Sequence, residues 1–202
     1  MFEMAAILLA AGLSRRMGPT NKLLLEISGK PMVRHVAETY LSAIDGPLTV
    51  VTGFEADRVG AALCGLDLHL VHNDVFTRGQ PSSVSAGLVA APEAELLLIG
   101  LADQPLLTAS NLRSLMACHK NADPRRITIP MRGDRRGNPI VIPRLLRDRL
   151  TENPERPGCM RFTRDFPEHV QRAPMEADGF YHDIDTLDDS RALPASDAEV
   201  VT

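Results

Sequence analysis

The sequence predicts a single-domain α/β protein: a doubly wound, mostly parallel sheet with a small antiparallel portion. Three observations carry that expectation. Short apolar or β-branched runs alternate with helix-length segments, the order that builds a parallel sheet covered by helices on both faces. Two runs, residues 6–10 and 96–101, are apolar without alternation, as strands buried on both faces are. The chain has 202 residues and is 44% hydrophobic, enough for one substantial core.

Taken in order, residues 6–10 form the first strand. It breaks at Gly12 into a loop with glycines at 12 and 18 and cations at Arg15, Arg16 and Lys22. Backbone N–H groups in such a loop can cradle an anion, and Arg or Lys adds full charge there. Solvated surface cations are the plainer alternative. The loop is neither a P-loop, since Pro19 follows Gly18, nor a dinucleotide fingerprint, since residue 14 is serine. Residues 22–27 read as a short extended piece, and Pro31 starts a helix to about Ser42. Residues 48–52 are a strand, 55–63 a helix and 68–72 the next strand. In Gly79-Gln80-Pro81-Ser82-Ser83, the proline and serines suit a helix N-terminus, where unpaired N–H groups favour a polar or anionic ligand.

Residues 95–101 form an apolar, central strand that ends in Ala102-Asp103-Gln104-Pro105. Ligands of open α/β sheets bind beyond the carboxyl ends of strands, so Asp103 stands where a Mg²⁺ ligand would. The alternative is that it caps the helix of residues 110–118 or holds a turn with Pro105. Residues 127–131 are a strand, and Arg136-Gly137-Asn138-Pro139 reads as a turn before the strand through Ile142. Residues 143–150 read as a helix, and residues 158–166 as a short basic one carrying Arg161. In Asp183-Ile184-Asp185, a strand would put both acids on one side. Thr186 and Asp189 form a capping-box variant ahead of a last helix. Residues 1–193 make the domain, and 194–202 a polar, disordered tail.

Composition narrows the function classes. Net charge is −4, but residues 125–172 hold twelve arginines against six acids, and eight acids follow from Glu176 onward. Mutual neutralisation is one reading; a positive cleft for a phosphorylated substrate is the other. An acidic chain with eight aromatics is poorly equipped for nucleic acid. No apolar run reaches the roughly 18 residues of a membrane span, and the N-terminus lacks the basic start of a signal peptide. Cys64, Cys118 and Cys159 are widely spaced without CxxC, which fits packing residues in a reducing cytoplasm. No Ser-His-Asp or Cys-His arrangement stands out, and the histidines carry no assigned role.

Leu9-Ala10-Ala11-Gly12-x-Ser14-x-Arg16-Met17-Gly18, followed by Asn21-Lys22-Leu23-Leu24, resembles the signature loop of MobA-like nucleotidyltransferases, within them the molybdenum cofactor cytidylyltransferases. The resemblance spans about residues 4–193 and implies a Rossmann-like nucleotidyltransferase fold. It implies that Arg16 and Lys22 hold the triphosphate of CTP, with Leu9, Ala10, Ala11, Gly12, Ser14, Gly18, Gln80 and Ser83 around the nucleotide. It implies that Asp103, catalytic with Arg16 and Lys22, binds Mg²⁺ together with Asp185, or Asp183 in its place. The acceptor, a molybdopterin phosphate, is then met by Gly137, Asn138, Pro139 and Arg161. Ala11 and the Asp-Ile-Asp-Thr segment match the cytidylyl branch rather than the guanylyl one. A molybdenum hydroxylase apoenzyme is an implied partner. GTP in place of CTP, a sugar-phosphate acceptor, an NAD(P)H-dependent reductase on the same fold and a non-catalytic cofactor-delivery factor remain as alternatives.

Overall fold

The computed structural model describes residues 2–14, 20–152, 159–186 and 189. Its backbone is a seven-strand path with one short strand attached. In chain order the strands are β1 (Phe2–Ala10), β2 (Glu26–Ile27), β3 (Lys30–Pro31), β4 (Leu48–Thr52), β5 (His69–His72), β6 (Ala94–Leu101), β7 (Ile127–Arg132), β8 (Arg135–Arg136), β9 (Ile140–Pro143) and β10 (Val170–Pro174). The α-helices are α1 (Met32–Leu41), α2 (Ala56–Ala62), α3 (Gln80–Ala90), α4 (Ala109–Asn121) and α5 (Cys159–Asp165). Strand order is β10-β7-β9-β6-β1-β4-β5, with β8 paired to β7. β1 pairs in parallel with β4 and β6, β4 with β5, and β10 with β7. β9 runs antiparallel to both β6 and β7, which is the small antiparallel portion.

The period of two along β1 divides the core. Met4, Ala6, Leu8 and Ala10 join the cluster that includes Val33, Val36 and Tyr40 of α1 and Leu112 and Leu115 of α4. Ala5, Ile7 and Leu9 face the other cluster, with Val84 of α3 and Phe162 of α5. Both faces of the sheet are thus covered, which explains why β1 from Met4 onward and the whole of β4 are buried rather than alternating. The chain leaves β1 toward β4 and β5 and later returns to β6 on its other side. That reversal opens a crevice beyond the carboxyl ends of β1 and β6, where α/β proteins bind ligands.

Three expected elements differ. Residues 22–27 are not extended throughout: Lys22–Leu24 is a 3-10 turn, because the Asn21 side chain accepts from the Leu23 N–H (3.1 Å). Residues 143–150 are the end of β9 and two 3-10 turns, with i→i+3 bonds such as Arg147 N–H to the Arg144 carbonyl. The Arg147 guanidinium binds the carbonyls of Pro92 and Ala94, fixing this segment against the start of β6. Asp183-Ile184-Asp185 lies in no strand; the Ile184 N–H instead bonds the Asp103 carbonyl (2.9 Å), drawing the segment over the end of β6. β10 had no counterpart in the sequence reading. The Thr186–Asp189 cap is formed, Asp189 accepting from the N–H groups of Asp185 and Thr186. Residues 194–202, and any helix past Asp189, lie outside the described residues.

One close approach gives a stability prediction. A Cβ on Gly100, in β6, would run into the Tyr40 hydroxyl and lie 3.3 Å from Pro139 Cβ. Tyr40 is fully buried in the packed core, so its ring has no free space to move into. Gly100→Ala is therefore expected to destabilise the fold by about 1–3 kcal/mol, as overpacking does. Urea unfolding reads this, and the additional substitution Tyr40→Phe should restore part of the loss.

Candidate active site

The crevice holds a cavity of about 540 Å³ whose lining combines three parts of the chain. Leu9, Ala11, Gly12 and Ser14 come from the end of β1 and the loop after it; Gly79, Gln80 and Ser83 come from the start of α3; Lys22, Asp103 and Asp185 supply its charge. Ser14 has a left-handed backbone (φ 49°), and its Oγ accepts from the Lys22 N–H at 3.1 Å. That bond ties the two ends of the glycine loop together, so Lys22 projects from a fixed base.

Lys22 Nζ donates to Asp103 Oδ2 (2.5 Å) and to Asp185 Oδ1 (3.0 Å). Asp183 completes the group: one carboxylate oxygen from each of the three aspartates lies within 4.8 Å of the others. Two carboxylates thus hold the ammonium with a third beside them, so among the described residues the group carries more negative than positive charge. Burial pulls the Lys22 ammonium down, but Asp103 and Asp185 together outweigh it and hold its pKa above the usual lysine value. Burial raises the Asp103 carboxyl, and the charge of Asp183 adds to that rise while Lys22 opposes it. Asp103 Oδ1 is buried without a hydrogen-bond partner among the described residues. A buried carboxylate oxygen with an open lone pair, beside two further acids, fits a hard divalent cation such as Mg²⁺.

The helix start is held by a residue the sequence reading passed over. Asn73 is 4% exposed, and its Nδ2 donates to the hydroxyls of Ser82 (2.9 Å) and Ser83 (3.0 Å). Its Oδ1 accepts from the Val75 N–H, an Asx turn that fixes the segment carrying Phe76 and Thr77, both at the cavity. Asn21 was also missed as a positioning residue: besides capping Lys22–Leu24, it donates to the Phe54 carbonyl. In both cases the signal was an Asn at the start of a tight turn.

The expected site residues are placed as follows. Leu9, Ala11, Gly12, Ser14, Lys22, Gln80, Ser83, Asp103 and Asp185 meet at this cavity. Ala10 points instead into the core. Asn138 and Arg161 line an adjoining cavity. Gly137 packs against Phe180 and Tyr181, where a Cβ would lie 2.7 Å from the Phe180 carbonyl oxygen. Pro139 lies beside Gly100. Arg16 and Gly18 lie outside the described residues.

The family model of the MobA-like NTP transferase domain matches residues 6–173. The chain belongs to this family. The match takes in β1 from Ala6 onward, the Lys22 turn, α3 and Asp103, and stops before Asp183 and Asp185. Among curated relatives, the chain is 30% identical over 190 residues to nicotine blue oxidoreductase of Paenarthrobacter nicotinovorans, covering 90% of this chain and 92% of that one. It is 29% identical over 130 residues to a probable molybdenum cofactor guanylyltransferase of Natronomonas pharaonis, covering 64% and 62%. It is 29% identical over 147 residues to the bifunctional protein GlmU of Legionella pneumophila, covering 72% of this chain and 32% of that protein. The chain thus spans about a third of the GlmU relatives it matches. A solved nucleotidyl transferase from Methanothermobacter thermautotroptrophicus shares the fold, with a TM-score of 0.77 at 24% identity, covering 93% of this chain and 94% of that one. The MobA-like chain is accordingly a nucleotidyltransferase-family protein with a Rossmann-like nucleotidyltransferase fold.

Proposed function

We propose that the protein transfers a cytidylyl group from CTP to the phosphate of molybdopterin, giving molybdopterin cytosine dinucleotide and pyrophosphate. The observation that carries this reading is the convergence of Lys22, Asp103 and Asp185 in the cavity between the loop after β1 and the start of α3. A polyphosphate needs both the backbone approach that Gly12 allows and the cation of Lys22. A Cβ on Gly12 would meet nothing within 4 Å among the described residues, which leaves the backbone there open to a ligand.

An oxygen of the acceptor phosphate forms the new bond to the α-phosphorus, and the bond from that phosphorus to the bridging oxygen breaks. The electron pair leaves with pyrophosphate. The attacking phosphate is already ionised near neutral pH, so no general base is required. Lys22, with Arg16, neutralises charge on the departing pyrophosphate. Asp103 and Asp185 would hold Mg²⁺, which when bound supplies Lewis-acid charge to the phosphates. Asp183, in the same acid group, could replace Asp185 as the second ligand. The bound geometry confines both substrates in one orientation, which lowers the entropic cost of meeting.

Two features support CTP: Ala11 in the wall of the cavity and the Asp-Ile-Asp-Thr segment, both as in the cytidylyl branch. The molybdopterin acceptor draws support from the guanylyltransferase relative. The three cysteines are free, consistent with work in a reducing cytoplasm. We take residues 1–193 as one catalytic domain, with a molybdenum hydroxylase apoenzyme as the partner that receives the product. A second reading, NAD(P)H-dependent reduction, is favoured by the nearly full-length likeness to nicotine blue oxidoreductase.

The test is pyrophosphate release with Mg²⁺ and molybdopterin, offering CTP, GTP and ATP in parallel. CTP is expected to give the fastest release by at least about tenfold. Equal or faster release with GTP would overturn the base assignment.

A further inference from the structure

A second cavity, of about 490 Å³, adjoins the first and shares Leu9, Gln80 and Leu101 with it. Its apolar lining comes from Leu9, Val84, Ile99, Leu101 and Ile140. Its cations are Arg136, Arg161 and Arg164. Arg161 and Arg164 already share Asp165, their Nε atoms lying 2.8 and 3.3 Å from its oxygens. Arg136 differs. It is only partly exposed, and no carboxylate lies within ion-pair distance of it among the described residues. Among the described residues its side-chain bond runs from Nη1 to Thr163 Oγ1 at 2.7 Å. The neighbouring Cys159 supplies no charge, because burial pushes its thiol up to about 12.

A guanidinium taken out of water without an anion is unfavourable, and a hydroxyl does not neutralise it. It is also held still. Thr163 Oγ1 donates to the Cys159 carbonyl at 2.8 Å, so α5 fixes the acceptor of Arg136's bond. A fixed fork of N–H donors with no counter-ion among the described residues, at one side of an apolar-lined cavity, matches an apolar body that carries a phosphate.

We infer that Arg136 is the anchor for the phosphate of the acceptor, selecting a planar heteroaromatic phosphate monoester over the corresponding neutral alcohol. The choice of ring rests on the acceptor proposed above; the phosphate anchor itself does not require it. The ring lies in the apolar-lined cavity, and the phosphate supplies the anion that Arg136 lacks. Thr163 is a positioning residue that aims the guanidinium.

The test uses 6-hydroxymethylpterin monophosphate and unphosphorylated 6-hydroxymethylpterin, titrated calorimetrically into the nucleotide-free protein. Wild type is expected to prefer the monophosphate, and Arg136→Met to bind it at least about tenfold more weakly, with binding of the alcohol unchanged. Arg136→Lys, which keeps the charge, and Thr163→Val, which keeps the guanidinium, should each lose about threefold. These two carry the test should Arg136→Met fail to fold, as circular dichroism would show. In turnover with CTP, Arg136→Lys should raise the acceptor KM while leaving kcat and the CTP KM close to wild type. Equal monophosphate binding by wild type, Arg136→Lys and Thr163→Val would overturn the anchor. Arg136-dependent binding without pyrophosphate release by wild type would overturn nucleotidyl transfer and leave the anchor standing.

Discussion

Lys22→Met is expected to lower turnover by about 10²–10³-fold, the loss that follows removal of one preorganised donor from developing charge. The same substitution should change stability in a cation-dependent way. Lys22 and Asp103 are only 12% and 17% exposed as side chains, and each is the other's direct partner. Without Lys22, Asp103 keeps its burial and its repulsion from Asp183 and loses the cation it is paired with. Breaking a pair of this kind leaves an uncompensated charge, so the variant in EDTA should be less stable by about 1–3 kcal/mol. Mg²⁺ should then stabilise the variant more than it stabilises wild type, since it no longer competes with an ammonium for the same oxygens. Urea midpoints with EDTA and with Mg²⁺, for both proteins, measure this. Equal effects of Mg²⁺ on the two would separate the acid group from metal binding.

Asp103→Asn should be the more selective lesion, again with a loss of at least about 10²-fold in turnover. The amide is isosteric and can still accept from Lys22, so the fold should persist. It lacks the charge that would hold a divalent cation. Titration of Mn²⁺ into the nucleotide-free protein should show weakened binding in Asp103→Asn and a smaller weakening in Asp185→Asn, whose side chain is more exposed. CTP binding measured in EDTA should change little or improve, because a negative charge beside the phosphates is gone. A variant that retains both Mn²⁺ affinity and turnover would remove Asp103 from the machinery.

How far the sequence was legible depends on where the determining contacts lie. β1, the loop after it and the start of α3 could be read because their signals are local: an unbroken apolar run, glycines beside cations, and Pro81 with serines. Asp103 could be read because the end of a central strand places it. β10 could not: Gln171, Arg172 and Pro174 give it no apolar alternation, and it forms by pairing with β7 over a long separation. The acids at 183 and 185 were legible as residue types, but a strand was the wrong vehicle. Their position depends on the Ile184–Asp103 backbone bond, which joins residues far apart in the sequence and leaves no periodic trace. The double pairing of Lys22 with Asp103 and Asp185 is a property of the assembled crevice, as is the lack of a counter-ion for Arg136 among the described residues.

The measurement that addresses the central claim most directly follows the α-phosphate itself. The protein is incubated with Mg²⁺, molybdopterin and CTP radiolabelled at that phosphate, and the products are separated and weighed by mass spectrometry. Nucleotidyl transfer predicts the label in molybdopterin cytosine dinucleotide, in equal amount to the pyrophosphate released. Label remaining in CTP, with oxidation of NADPH by a parallel sample given nicotine blue, would contradict it.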